Sequence, residues 1–455
     1  MTTVDLPSLL ALFEQARLRA QALQRPVLAV GTCPAPGFDP LQLYEAQREG
    51  FFWSAQQPRL TLFGQDCQWQ VEAHGEQCLA EVQRQWQGLC DDAWVDGPLA
   101  PLLLGGMRFD SRTPSAPHWA PFADASFHVA HWLVSEDANG CWLRCQRLVE
   151  PGSDPLTLAH ASLAAYERLL VPRPHGASTP AVIERTALPA TLWQHKVERA
   201  LRAIDDDHLS KVVLARHIEY QLDTPLDSGA LMRRLHEGRG QAHLFALHRD
   251  GHCFLGATPE RLLSSHAGRL STHALAGSVR RGHTPSEDQV LGTALLADLK
   301  ERHEHQLVVS SIVEGLDALV DGLQAAPEPT LLKLANVQHL STPIKARLRS
   351  GRSLLDGVAA LHPTPAVGGL PRASALHFIR DNEGFDRGWY SAPIGWIDGN
   401  GNGNFLVALR CALLTPRSCH LFAGCGIVQG SQPANEYEET QIKLANMERA
   451  LGVSA

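Results

Sequence analysis

Two pairs of glutamates with matching spacing are the residues best suited to chemistry. Glu436 and Glu439 lie in Glu436-Tyr437-Glu438-Glu439-Thr440-Gln441-Ile442-Lys443, and Glu301 and Glu304 lie in Lys300-Glu301-Arg302-His303-Glu304-His305. An i, i+3 spacing puts both members of a pair on one face of a helix. Carboxylates from two helices far apart in sequence can converge on one hard divalent cation. Mg²⁺ takes oxygen ligands and usually bridges one or two protein carboxylates to an anionic substrate. The plainer alternative is two solvated acidic helix faces, because exposed glutamates are common.

Other side chains offer acid, base and anion-binding chemistry. Lys211 opens the run Lys211-Val212-Val213-Leu214-Ala215-Arg216 after the acidic turn Asp205-Asp206-Asp207. A strand-opening lysine is ordinarily a solvent-facing cap. Buried beside a cation, its charged form is disfavoured and the neutral amine can take a proton. Glu260 follows Thr258-Pro259. It reads either as the first turn of a helix or as a carboxylic acid kept protonated to serve as a general acid. Arg410 ends an otherwise apolar strand and needs an anionic partner, for which a carboxylate has the matching geometry. Tyr390 supplies a second donor, and Ala274-Leu275-Ala276-Gly277-Ser278 ends in small residues that let backbone approach a ligand.

The positioning elements are mixed. Strands are predicted at 26–30, 60–63, 211–216, 252–256, 406–410 and 420–423, and at 102–109 with a glycine bulge at Gly105-Gly106. Helices are predicted over 76–90, 191–204, 286–313 and 436–451. The elements interleave without a regular βαβ beat, which favours an α+β fold. The segment 171–180 is rich in Pro and small residues and reads as a linker.

The chain has 455 residues and a net charge of −8, with 44% apolar and 19% charged residues. That is ordinary for a globular enzyme and lacks the basic surface of a nucleic-acid binder. No apolar run is long enough to span a membrane, and the N-terminus lacks the pattern of a signal peptide. The ten cysteines form no C-x-x-C pair, so a cytoplasmic protein with reduced thiols is expected. Three motifs mislead. Asp398-Gly399-Asn400-Gly401-Asn402-Gly403 resembles an EF-hand start, but its twelfth position is Leu409, so a hairpin turn fits better. In Gly424-Cys425-Gly426-Ile427-Val428-Gln429-Gly430 the third glycine falls one place late for a dinucleotide loop. What remains is a strand end whose N–H groups can meet an anion. His303 and His305 are two apart and point to different faces of a helix, so they form no zinc motif.

Taken in order, these segments resemble one family, the chorismate-utilising enzymes, which include isochorismate, salicylate and anthranilate synthases. The likeness covers about residues 190–453 and adds Val337-Gln338-His339-Leu340 and His362-Pro363-Thr364-Pro365-Ala366-Val367-Gly368-Gly369 to the motifs above. In the N-terminal part, Asp96-Gly97-Pro98-Leu99-Ala100-Pro101 and Phe122-Ala123-Asp124-Ala125-Ser126 look like the isochorismate synthases that feed salicylate into siderophores.

The resemblance implies an anthranilate synthase component I-like fold with two packed sheets flanked by helices. Residues 1–185 would complete the scaffold and 186–455 would form the chorismate-binding region. It implies Mg²⁺ on Glu304 and Glu439, with Glu301 and Glu436 close by, holding the ring carboxylate of chorismate. Arg410 and Tyr390 would hold the enolpyruvyl carboxylate, helped by N–H groups around Gly424 and Gly426. Lys443 would assist the metal-bound end, and Gly277, Ser278 and His339 would line the substrate. Members that add water carry a lysine where Lys211 stands, and the nucleophilic lysine of aminodeoxychorismate synthases has no counterpart in 274–277. Lys211 would therefore deprotonate a water that attacks C2, and Glu260 would protonate the hydroxyl leaving C4. Isochorismate synthase is the expectation, with a separate pyruvate lyase downstream. A salicylate synthase and, more remotely, a silent scaffold subunit are the alternatives.

Overall fold

The computed structural model describes residues 4–47, 49–56, 58–172, 180–333 and 337–452. The strand Lys211–Leu222 pairs antiparallel with Ser418–Ile427, setting Ala215 opposite Gly424. Hydrogen bonding passes on through Cys411–Leu414, His252–Thr258 and His243–Arg249 to Phe51–Gln56, where Leu244 faces Ser54. A second arm runs from Arg269–Arg280 through Arg261–His266, Gly403–Val407 and Pro393–Asp398 to Leu102–Met107, where Gly395 faces Gly105. The long strands Arg59–Ala73 and Ala125–Asp137 join the two arms.

The architecture is α+β, with a single continuous and largely antiparallel network whose two arms face each other. Their shared core shows this directly. Phe254, Leu413 and Phe422 from one arm and Leu104, Ile394 and Leu406 from the other enclose Trp119, Phe122 and Trp389. Trp119 meets Phe254 edge-on at 5.3 Å, and Phe122 meets Trp389 likewise at 5.3 Å, an arrangement the ring quadrupoles favour. Gly388 is required here. Its φ is +53°, and a Cβ would lie 2.1 Å from the Trp119 ring.

The periodic helices form where expected. Cys78–Asp92 buries Leu79, Val82 and Trp86. Ala190–Asp205 buries Trp193, Val197, Ala200 and Ile204. Pro433–Leu451 carries the C-terminal glutamates and starts with proline, whose missing N–H costs nothing in a first turn. No helix among the described residues is long and apolar enough to cross a membrane, and no disulfide joins the ten cysteines.

Several expectations need correction. The helix predicted over 286–313 is two helices, Pro285–Ala297 and Leu299–Asp317. Asp298 breaks them apart because its side chain accepts the Glu301 N–H at 3.0 Å, an N-cap in mid-run. The strand at 102–109 ends at Met107 and keeps regular register past Gly105 and Gly106. Those glycines serve close packing instead of a bulge: Cβ atoms would lie 2.2 Å from Ser126 O and 2.6 Å from the Trp389 ring. The strand at 406–410 ends at Val407, and Arg410 sits in a bend with φ +46°. In the suspected linker, residues 173–179 lie outside the described residues. The segment 398–403 is the expected turn, with the Asp398 carboxylate accepting the Asn400 and Asn402 N–H groups at 2.8 Å.

Burial holds several imidazoles neutral. His217 and His243 are pushed down to about 4, His131 and His362 to about 3, and His420 to about 2. Below about pH 6.5 an unfolded chain takes up these protons and the folded one does not. Stability is therefore greatest above that pH and falls as pH drops toward 4, by up to about 1.4 kcal/mol per pH unit for each group. Urea unfolding should show a lower midpoint at pH 5 than at pH 7. An equal or higher midpoint at pH 5 would contradict this accounting.

Candidate active site

Several strands, two helices and the bends at Glu260, Tyr390 and Arg410 bring the sequence-predicted side chains near one another. The strand Lys211–Leu222 starts with Lys211, which is 8% exposed. Its ammonium meets Glu304 on the helix Leu299–Asp317, with Nζ and Oε1 2.6 Å apart. Gly426 on the neighbouring strand leaves room for this lysine, since a Cβ there would lie 3.1 Å from Lys211 Cε. Glu439 is paired in the same way, accepting from Lys443 at 2.7 Å one helical turn on. The Lys443 ammonium also donates to Gly424 O at 2.8 Å, tying the C-terminal helix to the sheet.

The strand carrying Gly424 and Gly426 has an open edge here. Its pairing with Cys411–Leu414 stops at Leu421. Opposite it, the Val213 and Ala215 N–H groups point away, toward Gly368 O and Glu383 Oε1. In an antiparallel ladder their partners Gly426 and Gly424 then also turn their N–H groups away from the shared edge. Two glycine N–H donors therefore face the side where Lys443 arrives.

The first glutamate of each pair feels its neighbour. Burial first, and then the Glu304 carboxylate, push the Glu301 carboxyl above the usual range. Burial and then Glu439 do the same to Glu436. Gly277, at φ +76°, sits at a register shift in its strand and lets the chain pass close to Glu301, where a Cβ would lie 3.1 Å from Oε2. His305 bridges that strand to its neighbour Val337–Leu348, through Ala276 O and Thr342 Oγ1.

The anion-binding candidates share these surroundings. Arg410 is largely enclosed, and among the described residues no carboxylate side chain pairs with it. Tyr390 stacks on Phe422 at 5.2 Å, and burial keeps its hydroxyl protonated as a donor. That hydroxyl would lie 3.2 Å from a Cβ on Gly424. Ser278 Oγ and His339 Nδ1 lie 2.7 Å apart, and burial and then Arg410 hold His339 down at about 4, neutral at physiological pH. Glu260 sits in the bend between His252–Thr258 and Arg261–His266, and no helix starts there. Its N–H reaches Thr258 Oγ1 at 3.2 Å, and its carbonyl accepts from Val407 N at 3.0 Å. Burial raises its carboxyl to about 7 against the opposing pull of Lys211 and Lys443.

The donor set suits a hard divalent cation, being all carboxylate oxygen. In this structure no three of these carboxylates bring oxygens within 4.8 Å of one another, and lysines occupy Glu304 and Glu439. The one group that meets that distance among the described residues is His118, His217 and His420. There His217 Nε2 and His420 Nδ1 bond to each other at 2.9 Å, and the His118 ring stacks on His420 at 4.2 Å and 16°. A metal must lie in the plane of each imidazole it binds, and stacked planes share no such point. The trio is an aromatic packing cluster.

Sequence reasoning passed over Glu383 and Arg387 beneath the cleft. Opposite charges four residues apart just before Gly388-Trp389-Tyr390 were the available signal.

The chain matches the family model described as chorismate binding enzyme over residues 12–452. It is 46% identical over 446 residues to the salicylate biosynthesis isochorismate synthase of Pseudomonas aeruginosa, covering 96% of this chain and 93% of the relative. It is 34% identical to the isochorismate synthase MenF of Bacillus subtilis, covering 95% of each. Among solved structures, the menaquinone-specific isochorismate synthase from Escherichia coli matches with a TM-score of 0.82 at 27% identity, covering 98% of this chain and all of that one. Anthranilate synthase component I from Streptococcus pneumoniae matches with a TM-score of 0.71 at 20% identity over 86% of this chain and 92% of that one, a likeness of fold.

Proposed function

Because the chain belongs to the chorismate-binding enzyme family, we propose that it is an isochorismate synthase, an isomerase acting on chorismate. The observation that supports this most directly is a buried lysine near a raised carboxylic acid: burial lifts Glu260 to about 7 while the Lys211 charge pulls against it. Lys211 takes a proton from water as the water oxygen bonds to C2. The ring double bond shifts, the C4–O bond breaks, and Glu260 gives its proton to the departing hydroxyl, which leaves as water. The product is an isomer of the substrate, and one proton has moved from Glu260 to Lys211.

Glu304 and Glu439 would hold Mg²⁺, with Glu301 and Glu436 beside them. When bound, the ion neutralises and orients the ring carboxylate. Lys211 engages only Oε1 of Glu304, which leaves Oε2 available to the ion. Arg410, Tyr390 and the Gly424 and Gly426 N–H groups hold the enolpyruvyl carboxylate. Gly277, Ser278, His339 and Lys443 line the ring and the metal-bound end. On this reading residues 1–185 complete the scaffold around the catalytic region 186–455. The reaction runs in the cytoplasm, and the product passes to a separate pyruvate lyase on the way to salicylate and a siderophore.

Two consequences can be measured. Protonated Glu260 is the working acid, so Glu260→Gln, which keeps the shape and removes the transferable proton, should lower kcat about 100- to 10,000-fold. An unchanged kcat in that variant would remove Glu260 from that role. Arg410→Ala loses a charge-assisted pair worth about 1.5–3 kcal/mol, so KM for chorismate should rise about 10- to 100-fold. An unchanged KM and kcat would rule the contact out. The assignment itself is tested by product analysis with chorismate and Mg²⁺, with and without EDTA. Isochorismate alone, lost on chelation, is expected, whereas salicylate with pyruvate would make the chain a salicylate synthase.

A further inference from the structure

Beneath the cleft an ion pair finishes a sheet edge that a strand begins. The short strand Gly369–Leu370 pairs with Val212 and Lys211 and goes no further. Past it, Arg387 Nη2 donates to Val213 O at 2.8 Å, and Glu383 Oε1 accepts the Ala215 N–H at 2.7 Å. Two side chains thus take the backbone groups that a longer strand would have taken. They also bind each other, through Nε and Oε2 at 2.8 Å and through a second contact between Nη2 and Oε1. Both are almost wholly buried, with side chains 3% and 1% exposed.

The guanidinium reaches further than this edge. Nη1 donates to Val367 O at 2.9 Å and to Ser391 Oγ at 3.2 Å. Its face lies 4.2 Å over the Phe109 ring. All five N–H donors of Arg387 are therefore used, a pattern only the planar fork of arginine can supply. Its backbone carbonyl also accepts the Tyr390 N–H at 2.9 Å, and Ser391, next in the chain, is held at φ +57°. One side of the pair grips the strand that carries Lys211, and the other grips the turn that carries Tyr390.

We infer that Glu383 and Arg387 are positioning residues for the reaction, holding the Lys211 strand and the Tyr390 turn at one fixed separation. This rests on the roles proposed above for Lys211 and Tyr390. Filling the space does not by itself require an ion pair, because apolar residues of similar volume often serve a buried site as well or better. Apolar residues cannot hold Val213 O, the Ala215 N–H, Val367 O and Ser391 Oγ together. Misplacement of about 1 Å between reacting groups can cost about a hundredfold in rate.

The test compares wild type, Glu383→Gln and the double variant Glu383→Leu/Arg387→Met, well below each melting temperature. The readouts are kcat, KM for chorismate and amide hydrogen exchange at Ala215. The double variant should be folded with kcat reduced about 10- to 100-fold, KM raised and Ala215 exchange accelerated. Glu383→Gln keeps an acceptor for Ala215, and its kcat should lie between the two. A folded double variant with wild-type kcat and KM would overturn the inference. If that variant does not fold, wild-type kcat and KM in Glu383→Gln would overturn it equally. A wild-type protein that does not turn over chorismate would overturn the reaction assignment, and this role with it.

Discussion

Replacing Lys211 with alanine lowers kcat for isomerisation about a thousandfold, within the range lost when a general base is removed. Chorismate binding stays close to wild type. The argument is geometric. Lys211 is 8% exposed, its ammonium pairs with Glu304 at 2.6 Å, and Gly426 is kept bare beside its stem. None of these contacts is a carboxylate-binding contact of the kind offered by Arg410 and Tyr390. Removing the amine also frees Glu304, so metal affinity should not fall. Titration of the variant with Mg²⁺ and with chorismate, beside turnover, separates these effects. Retained turnover would take the base role from Lys211.

The second large effect falls on metal binding. Glu304→Gln keeps the shape of the side chain and removes its charge. Loss of a group that merely supports a metal ligand costs about 10- to 100-fold in affinity, so loss of a ligand should cost at least about a hundredfold. Turnover at fixed Mg²⁺ should drop with it. In the metal-free protein the same change leaves Lys211 without its carboxylate. Calorimetric titration with Mg²⁺ reads the first effect, and restored turnover at high Mg²⁺ would link the two. Unchanged Mg²⁺ affinity would show that the glutamates are only the lysine-paired helix faces seen here.

The sequence made some of this legible and hid the rest for identifiable reasons. The pairing of Lys443 with Glu439 is an i, i+4 contact on one helix and could be read from spacing. The pairing of Lys211 with Glu304 spans 93 residues and depends on the fold. The helix break at Asp298 carried a signal, an aspartate followed three residues on by Glu301, but the apolar residues that continue on both sides masked it. Arg410 followed Leu406-Val407-Ala408-Leu409 and looked like strand, yet it turns into a left-handed bend that only tertiary contacts can impose. Gly105 and Gly106 looked like a bulge because sequence shows a missing side chain without showing the Trp389 ring that needs the space. Glu260 was ambiguous between helix start and acid. Burial that raises its carboxyl to about 7 is a property of the assembled cleft.

The most direct test of the account is the isotope content of the product made in ¹⁸O-labelled water with Mg²⁺ present. The account predicts isochorismate carrying one solvent oxygen, in the hydroxyl at C2. Unlabelled isochorismate would mean that the substrate's own hydroxyl migrates, contradicting both the water activated by Lys211 and the departure of water protonated by Glu260.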